Sequence, residues 1–224
     1  MRRSEQCTRK PKPGHSVVTA VLVTGLSAGP AAADSLGDRI EAAVPEGFSG
    51  QVVVATPAEI LYSGAFGAAD RERGEPVARD TLFDIGSITK TFTATLMLQL
   101  AAEGKVRLDQ PLADFFEGLP PETAAITIEQ LLTHTSGLPQ YSGPDEEARG
   151  AASFDAWLAE TRPEFAPGDH YAYSNPGYSV LARIVEKVSG QPFEAQLHMR
   201  LLDPLGLGAI GYRHLPPEAR QAVA

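Results

Sequence analysis

Residues 83–92 read FDIGSITKTF and open a long apolar segment that continues to Gly104. Its apolar residues fall on most sides of a helical projection, which predicts a helix from about Ser87 to Glu103 that is buried within a domain. Gly104 is the expected end of that helix. A serine at the start of such a helix and a lysine one turn further on are the features that need an explanation.

Ser87 and Lys90 are three residues apart, so their side chains share one face of the predicted helix. A serine hydroxyl is a weak nucleophile until a base lies within hydrogen-bond reach. Burial favours the neutral amine of a lysine, which would let Lys90 serve as that base. The helix N-terminus would also stabilise negative charge near Ser87. A Ser-x-x-Lys string arises by chance about once in a chain of this length, so a simple N-cap role for Ser87 stays open.

Tyr173-Ser174-Asn175 is the second candidate, in a predicted loop before a helix. A phenol can relay protons, and an amide side chain can both donate and accept hydrogen bonds. The spacing alone favours a simpler interpretation, in which Asn175 is the N-cap and Pro176 the first residue of the helix. Capping and substrate binding do not exclude each other, so both interpretations stay open.

Other reactive residue types offer weaker patterns. His134 lies at a predicted helix end and is interpreted as a structural residue that interacts with the helix dipole. The Gly-x-Ser-x-Gly string at residues 25–29 has no strand before it, so it does not predict a nucleophile elbow. Glu146-Glu147 has the character of solvated surface. The remaining histidines lack the spacing of metal ligands, so no metal site is expected: His170, His198 and His214.

The first 33 residues differ from the rest of the chain. A basic stretch is followed by the apolar run Val17–Leu26 and then by three alanines that end at Ala33. This pattern predicts a secretory signal peptide cleaved near Ala33, and therefore a secreted or periplasmic protein. The apolar run is too short for a stable membrane anchor. Residues 34–224 would then form the functional domain.

Charge and cysteine content exclude several classes of protein. The 224 residues are 43% hydrophobic, enough for one substantial core. Removing residues 1–33 leaves 14 basic and 27 acidic residues and a net charge of −13. Such an acidic body argues against nucleic-acid binding. The only cysteine, Cys7, lies in the predicted signal, which excludes disulfides and cysteine nucleophiles from the mature chain. The export route and the oligomeric state stay open.

The periodicity predicts an α+β layout. A short helix over Asp34–Val44 precedes an antiparallel hairpin with strands over Gln51–Thr56 and Ile60–Ala69, and then a short extended piece over Asp80–Ile85. Beyond the Ser87 helix the chain is predicted to be mainly helical. The further helices are expected over Ile128–His134, Phe154–Glu160, Gly177–Ser189 and Phe193–Leu202.

Five blocks occur in the order found in one known family. They are FDIGSITKTF at 83–92, LQLAAEGK at 98–105, LLTHTSGL at 131–138, PG at 167–168 and YSNPGY at 173–178. Between about Gly50 and Leu207 the chain resembles the β-lactamase-related serine hydrolases, which include class C β-lactamases, D-alanyl-D-alanine carboxypeptidases and esterases.

The resemblance implies a penicillin-recognising fold, in which an antiparallel sheet with flanking helices accompanies an all-helical domain. It implies that Ser87 forms an acyl-enzyme, that Lys90 assists its deprotonation and that Tyr173 is the general base and proton relay. Asn175 would orient the substrate amide. No cofactor is implied, and the substrate would be a β-lactam, a D-alanyl peptide or a small ester.

One part of the family pattern is missing. Neither of the family's third-motif triplets, Lys-Thr-Gly and His-x-Gly, occurs in the sequence. We therefore expect the domain over residues 34–224 to lack its C-terminal sheet strands and closing helix, and the chain to be poorly stable with little turnover. The alternative is a non-catalytic ligand- or partner-binding module of the cell envelope, and a purely structural envelope protein is a weaker one.

Overall fold

The computed structural model describes residues 35–143 and 150–211. The chain divides into two compact units, residues 1–85 and 86–224. The predicted signal peptide, His214 and Glu146-Glu147 lie outside the described residues. No helix in the described ranges is long and apolar enough to cross a membrane.

The first unit contains one helix and two small antiparallel sheets. Helix α1 spans Leu36–Ala43, and a capping box fixes its start, because Ser35 Oγ accepts the Asp38 amide while Asp38 accepts the Ser35 amide. Strand β1 spans Gly50–Ala55 and pairs with β2, Ile60–Phe66, so the predicted hairpin is confirmed.

The second predicted strand is shorter than expected. It was predicted to run to Ala69, but it ends at Phe66, and a separate strand β3, Ala68–Asp70, pairs with β4, Glu75–Pro76. Gly67 between them has a left-handed φ of 69° and packs so closely on Phe48 that a Cβ would collide with its carbonyl oxygen. A glycine that must leave the β region interrupts the strand. Residues 81–85 carry no regular secondary structure.

The second unit is helical in its described residues. It begins with a 3-10 turn, Gly86–Ile88, which leads into α2, Thr89–Ala102. The helices that follow are α3, Pro121–Ala124; α4, Ile128–Leu132; α5, Ala151–Glu160; α6, Asn175–Ser189; and α7, Phe193–Leu197. A second 3-10 turn covers Leu112–Asp114, and a π-helical turn, His198–Leu202, extends α7.

Two predicted helix boundaries are wrong for identifiable reasons. Ser87 lies in the 3-10 turn rather than in the α-helix that was predicted to begin with it. The helix predicted to reach His134 ends at Leu132, because His134 adopts a left-handed φ of 57° that an α-helix cannot contain.

Helix α6 organises the core of this unit. It packs on α2, α4 and α7. The 3.6-residue repeat of its apolar residues predicts one buried face, and Leu181, Ile184 and Val185 on that face are fully buried. Gly190 is the C-cap residue of α6. It has a left-handed φ of 68°, and its backbone N–H donates a hydrogen bond to the Glu186 carbonyl oxygen. Helix α2 is less buried than predicted, because Leu98 is 49% exposed. The buried side chains of α2 are Thr93, Leu96, Met97 and Leu100.

Candidate active site

Ser87 is an exposed residue in the 3-10 turn that leads into α2. Gly86 before it has a left-handed φ of 50°, a conformation that favours glycine and lets the chain turn into the helix. Ile88, the N-cap residue of α2, makes no side-chain capping hydrogen bond, and the helix dipole is positive at this end. The serine hydroxyl therefore lies at a helix start that favours negative charge.

Lys90 is the first partner of Ser87. Its Nζ donates to Ser87 Oγ over 3.3 Å, so the reach predicted from the three-residue spacing is confirmed. The same amine donates to Asn175 Oδ1 over 2.7 Å. Lys90 thereby connects the start of α2 with the start of α6, which are 85 positions apart in the chain.

Tyr173 is the second partner. Its phenolic oxygen donates to Ser87 Oγ over 2.7 Å, and Lys90 Nζ lies 4.9 Å from the centre of its ring. Burial acts to raise the pKa of Tyr173, but the hydrogen bonds with Lys90 and Ser87 and the nearby Lys90 charge outweigh it and lower that pKa below the usual tyrosine value. A phenol with a lowered pKa, in contact with a serine hydroxyl, is well placed for proton transfer.

Asn175 does not have the local role that the spacing favoured. Ser174 is the N-cap of α6, since its Oγ accepts the Gly177 amide over 3.1 Å. Asn175 is the first residue of the helix, and its side chain points to Lys90 instead. The interpretation of Asn175 as the cap is wrong because Ser174 is one position earlier and its hydroxyl also donates to the Pro139 carbonyl.

The structure thus brings together four residues that the sequence singled out: Ser87, Lys90, Tyr173 and Asn175. A sequence model of the beta-lactamase family matches residues 38–224 of this chain. The chain belongs to the beta-lactamase family. The predicted resemblance and the incomplete α+β fold of that family are confirmed.

The names of relatives in the family state several different activities. The chain is 36% identical over 186 residues to Esterase EstB of Burkholderia gladioli, covering 74% of this chain and 47% of the esterase. It is 37% identical over 154 residues to Penicillin-binding protein 4 of Amycolatopsis lactamdurans, covering 66% of this chain and 40% of that protein. The matched region spans less than half of either relative.

A solved penicillin-binding protein from Bacillus halodurans has the same fold. It superposes with a TM-score of 0.65 at 29% identity, over 76% of this chain and 56% of that one. The family therefore joins hydrolytic and penicillin-binding proteins on one scaffold.

His134 is a residue of the site region whose contacts the sequence did not predict. It was expected to interact with a helix dipole, but its Nδ1 accepts the Ser174 amide over 3.1 Å, and its ring lies 4.5 Å from that of Tyr173. The block LLTHTSGL contains His134, yet no local sequence rule connects residue 134 with residue 174. Both contacts are with the segment that carries Tyr173.

The other described histidines lie in local contacts. His170 stacks on Phe165 with ring centres 3.7 Å apart, and His198 contacts Asp203 over 3.1 Å. Across residues 35–143 and 150–211, no three histidine, cysteine, aspartate or glutamate side chains are grouped as a metal site.

Proposed function

We propose that this chain is a serine hydrolase in which Ser87 is acylated by a β-lactam, a D-alanyl peptide or a small ester. The observation that carries the proposal is the pair of contacts to Ser87 Oγ, from Tyr173 at 2.7 Å and from Lys90 at 3.3 Å. A nucleophile within hydrogen-bond reach of a base, itself oriented by a third group, is the arrangement that acyl transfer needs.

In the first step Tyr173, as the phenolate, takes the proton of Ser87 while Oγ attacks the carbonyl carbon of the substrate. The tetrahedral intermediate then collapses, the bond to the leaving oxygen or nitrogen breaks, and Tyr173 returns its proton to the leaving group. In the second step Tyr173 takes a proton from water as the water oxygen attacks the acyl carbon. The bond from that carbon to Ser87 Oγ then breaks, Tyr173 returns the proton to Oγ, and the acid is released. The lowered pKa of Tyr173 supports this choice of base over Lys90.

Lys90 and Asn175 have supporting parts in the proposal. The Lys90 charge stabilises the phenolate and orients Ser87 through its 3.3 Å hydrogen bond. Because Asn175 Oδ1 accepts from Lys90, the part of the Asn175 side chain proposed to bind the substrate is its amide nitrogen, which carries two N–H donors. Those donors suit the carbonyl of a β-lactam side chain or of a peptide.

Intact-mass measurement after incubation with a fluorophosphonate, and separately with a penicillin, tests the proposal. We expect one adduct, located on the peptide that contains Ser87, and none in Ser87→Ala. A panel of p-nitrophenyl acetate, nitrocefin and a D-alanyl-D-alanine peptide then assigns the substrate class. If neither reagent labels the wild-type protein, the hydrolase proposal is contradicted.

A non-catalytic ligand- or partner-binding module is the second candidate. Retention of a penicillin without a covalent adduct would favour it.

A further inference from the structure

His134 holds the backbone on both sides of Tyr173. Its carbonyl oxygen accepts the Ala172 amide over 2.9 Å, and its Nδ1 accepts the Ser174 amide over 3.1 Å. The two amides that flank Tyr173 are therefore both bound by one residue. His134 reaches them from a left-handed φ of 57°, which is uncommon outside glycine.

The imidazole ring also supports the phenol ring directly. The ring centres of His134 and Tyr173 are 4.5 Å apart, with 31° between their planes. Tyr178 lies 5.1 Å away on α6, and Tyr171 contacts the ring edge at 5.8 Å. His134 therefore contacts both the backbone on either side of Tyr173 and the ring of Tyr173. These contacts hold the Tyr173 hydroxyl next to Ser87 Oγ.

This arrangement requires the neutral imidazole. Nδ1 can accept the Ser174 amide only when it carries no proton, and in the imidazolium both ring nitrogens are donors. The groups that face the ring are Lys90 from α2, Tyr171 and Tyr173 from the loop before α6, and Tyr178 from α6. Burial first, and then the Lys90 charge, lower the pKa of His134 below its usual value of about 6.5.

We propose that His134 is a positioning residue of this site. Its neutral Nδ1 holds the Ser174 amide and thereby aligns the Tyr173 phenol with Ser87. Protonation of His134 releases that alignment. The role rests on the proposed function, because it matters for acylation only if Tyr173 moves the proton of Ser87. His134 itself does not touch Ser87 or the substrate.

The test is the pH dependence of fluorophosphonate labelling of Ser87 in the full chain, from about pH 4.5 to 8. At any pH below the pKa of Tyr173, loss of its phenolate alone slows labelling tenfold for each pH unit. Once His134 also takes up a proton, at a pH below about 6.5, we expect the wild-type rate to fall a hundredfold per unit. His134→Asn keeps an acceptor oxygen near the Nδ1 position and tolerates a left-handed φ, but it does not titrate. It should keep the tenfold slope throughout.

Two further variants separate positioning from folding. His134→Phe keeps a ring against Tyr173 but leaves the Ser174 amide without its acceptor, and should label about tenfold more slowly at pH 8. His170→Asn alters a histidine that stacks on Phe165, and should reproduce the wild-type profile. Urea unfolding of each variant shows whether it is folded at the pH of the labelling.

Nitrogen NMR of the wild-type imidazoles supplies a readout that needs neither a variant nor activity. We expect His134 to carry its proton on Nε2 at pH 7.5 and to titrate below pH 6.5. A proton on Nδ1, or a single tenfold slope in the wild type, would overturn the role while leaving the hydrolase proposal intact. A folded wild-type chain that is never labelled at Ser87 would overturn both.

Discussion

The 2.7 Å hydrogen bond between Tyr173 and Ser87 is the contact on which the proposed chemistry depends most. Tyr173→Phe removes the phenolic oxygen and keeps the ring that packs on His134. Ser87 would then keep Lys90 Nζ at 3.3 Å, and that amine is shared with Asn175. A positioned acid–base group contributes about 10²–10⁴ in rate. At 1.36 kcal/mol for each factor of ten, that is about 2.7–5.4 kcal/mol of transition-state stabilisation.

The assay is the second-order rate of Ser87 labelling by a fluorophosphonate, measured against pH. We expect Tyr173→Phe to label at least about a hundredfold more slowly than wild type. The wild-type rate should rise with pH and level off below the usual tyrosine pKa of about 10, because the pKa of Tyr173 is lowered and the deprotonated form is the base. The variant should lose that rise.

Tyr171→Phe is the matched control, since Tyr171 is 64% exposed and its ring contacts His134. It should label at the wild-type rate. If Tyr173→Phe labels within about threefold of wild type, or keeps the wild-type pH profile, Tyr173 is not the base and the reasoning from the 2.7 Å contact is refuted.

Three further predictions concern the rest of the chain. Leu181→Ala should lower the free energy of unfolding by about 2–5 kcal/mol, whereas Leu98→Ala, at a half-exposed position of α2, should change it far less in the same urea titration. The pKa of Asp155 is lowered, first of all by its hydrogen bond with Arg183. The Asp155 carboxylate therefore stabilises the folded state above pH ~3.9, and this contribution is lost as the pH falls through the lowered pKa. Asp155→Asn should therefore flatten the acid side of the unfolding free energy between about pH 5 and 2, and an unchanged slope would contradict this. Expression in a bacterial host should yield exported protein whose N-terminal sequence begins at or near Asp34, and a retained Met1 would contradict the predicted signal peptide.

The local elements were predictable because their causes are local. The 3.6-residue period placed α6 and its buried face, and the Gly190 stop follows from the need for a left-handed residue at a helix end. The i to i+3 spacing placed Lys90 within reach of Ser87 even though Ser87 lies in a 3-10 turn, since both kinds of helix bring such residues to one side.

The end points of elements were harder to predict. Gly67 after β2 and His134 after α4 both adopt left-handed backbone angles, and each follows the end of an element that the residue pattern continued. At Gly67 the reason is the close approach of Phe48, and at His134 it is the pair of amides that the residue binds. Neither partner adjoins the residue in sequence.

The sequence by itself therefore determined the family and the α+β character, and it indicated Ser87 as the proposed nucleophile, because a helical repeat and a short motif are encoded by neighbouring residues. The tertiary structure decided which of two adjacent residues, Ser174 or Asn175, caps α6. Ser174 is held by Pro139 and Gly177, which leaves Asn175 to Lys90. Which residue becomes the cap depends on contacts between residues up to 85 positions apart in the chain. Those contacts form only once α2, α4 and α6 have packed together.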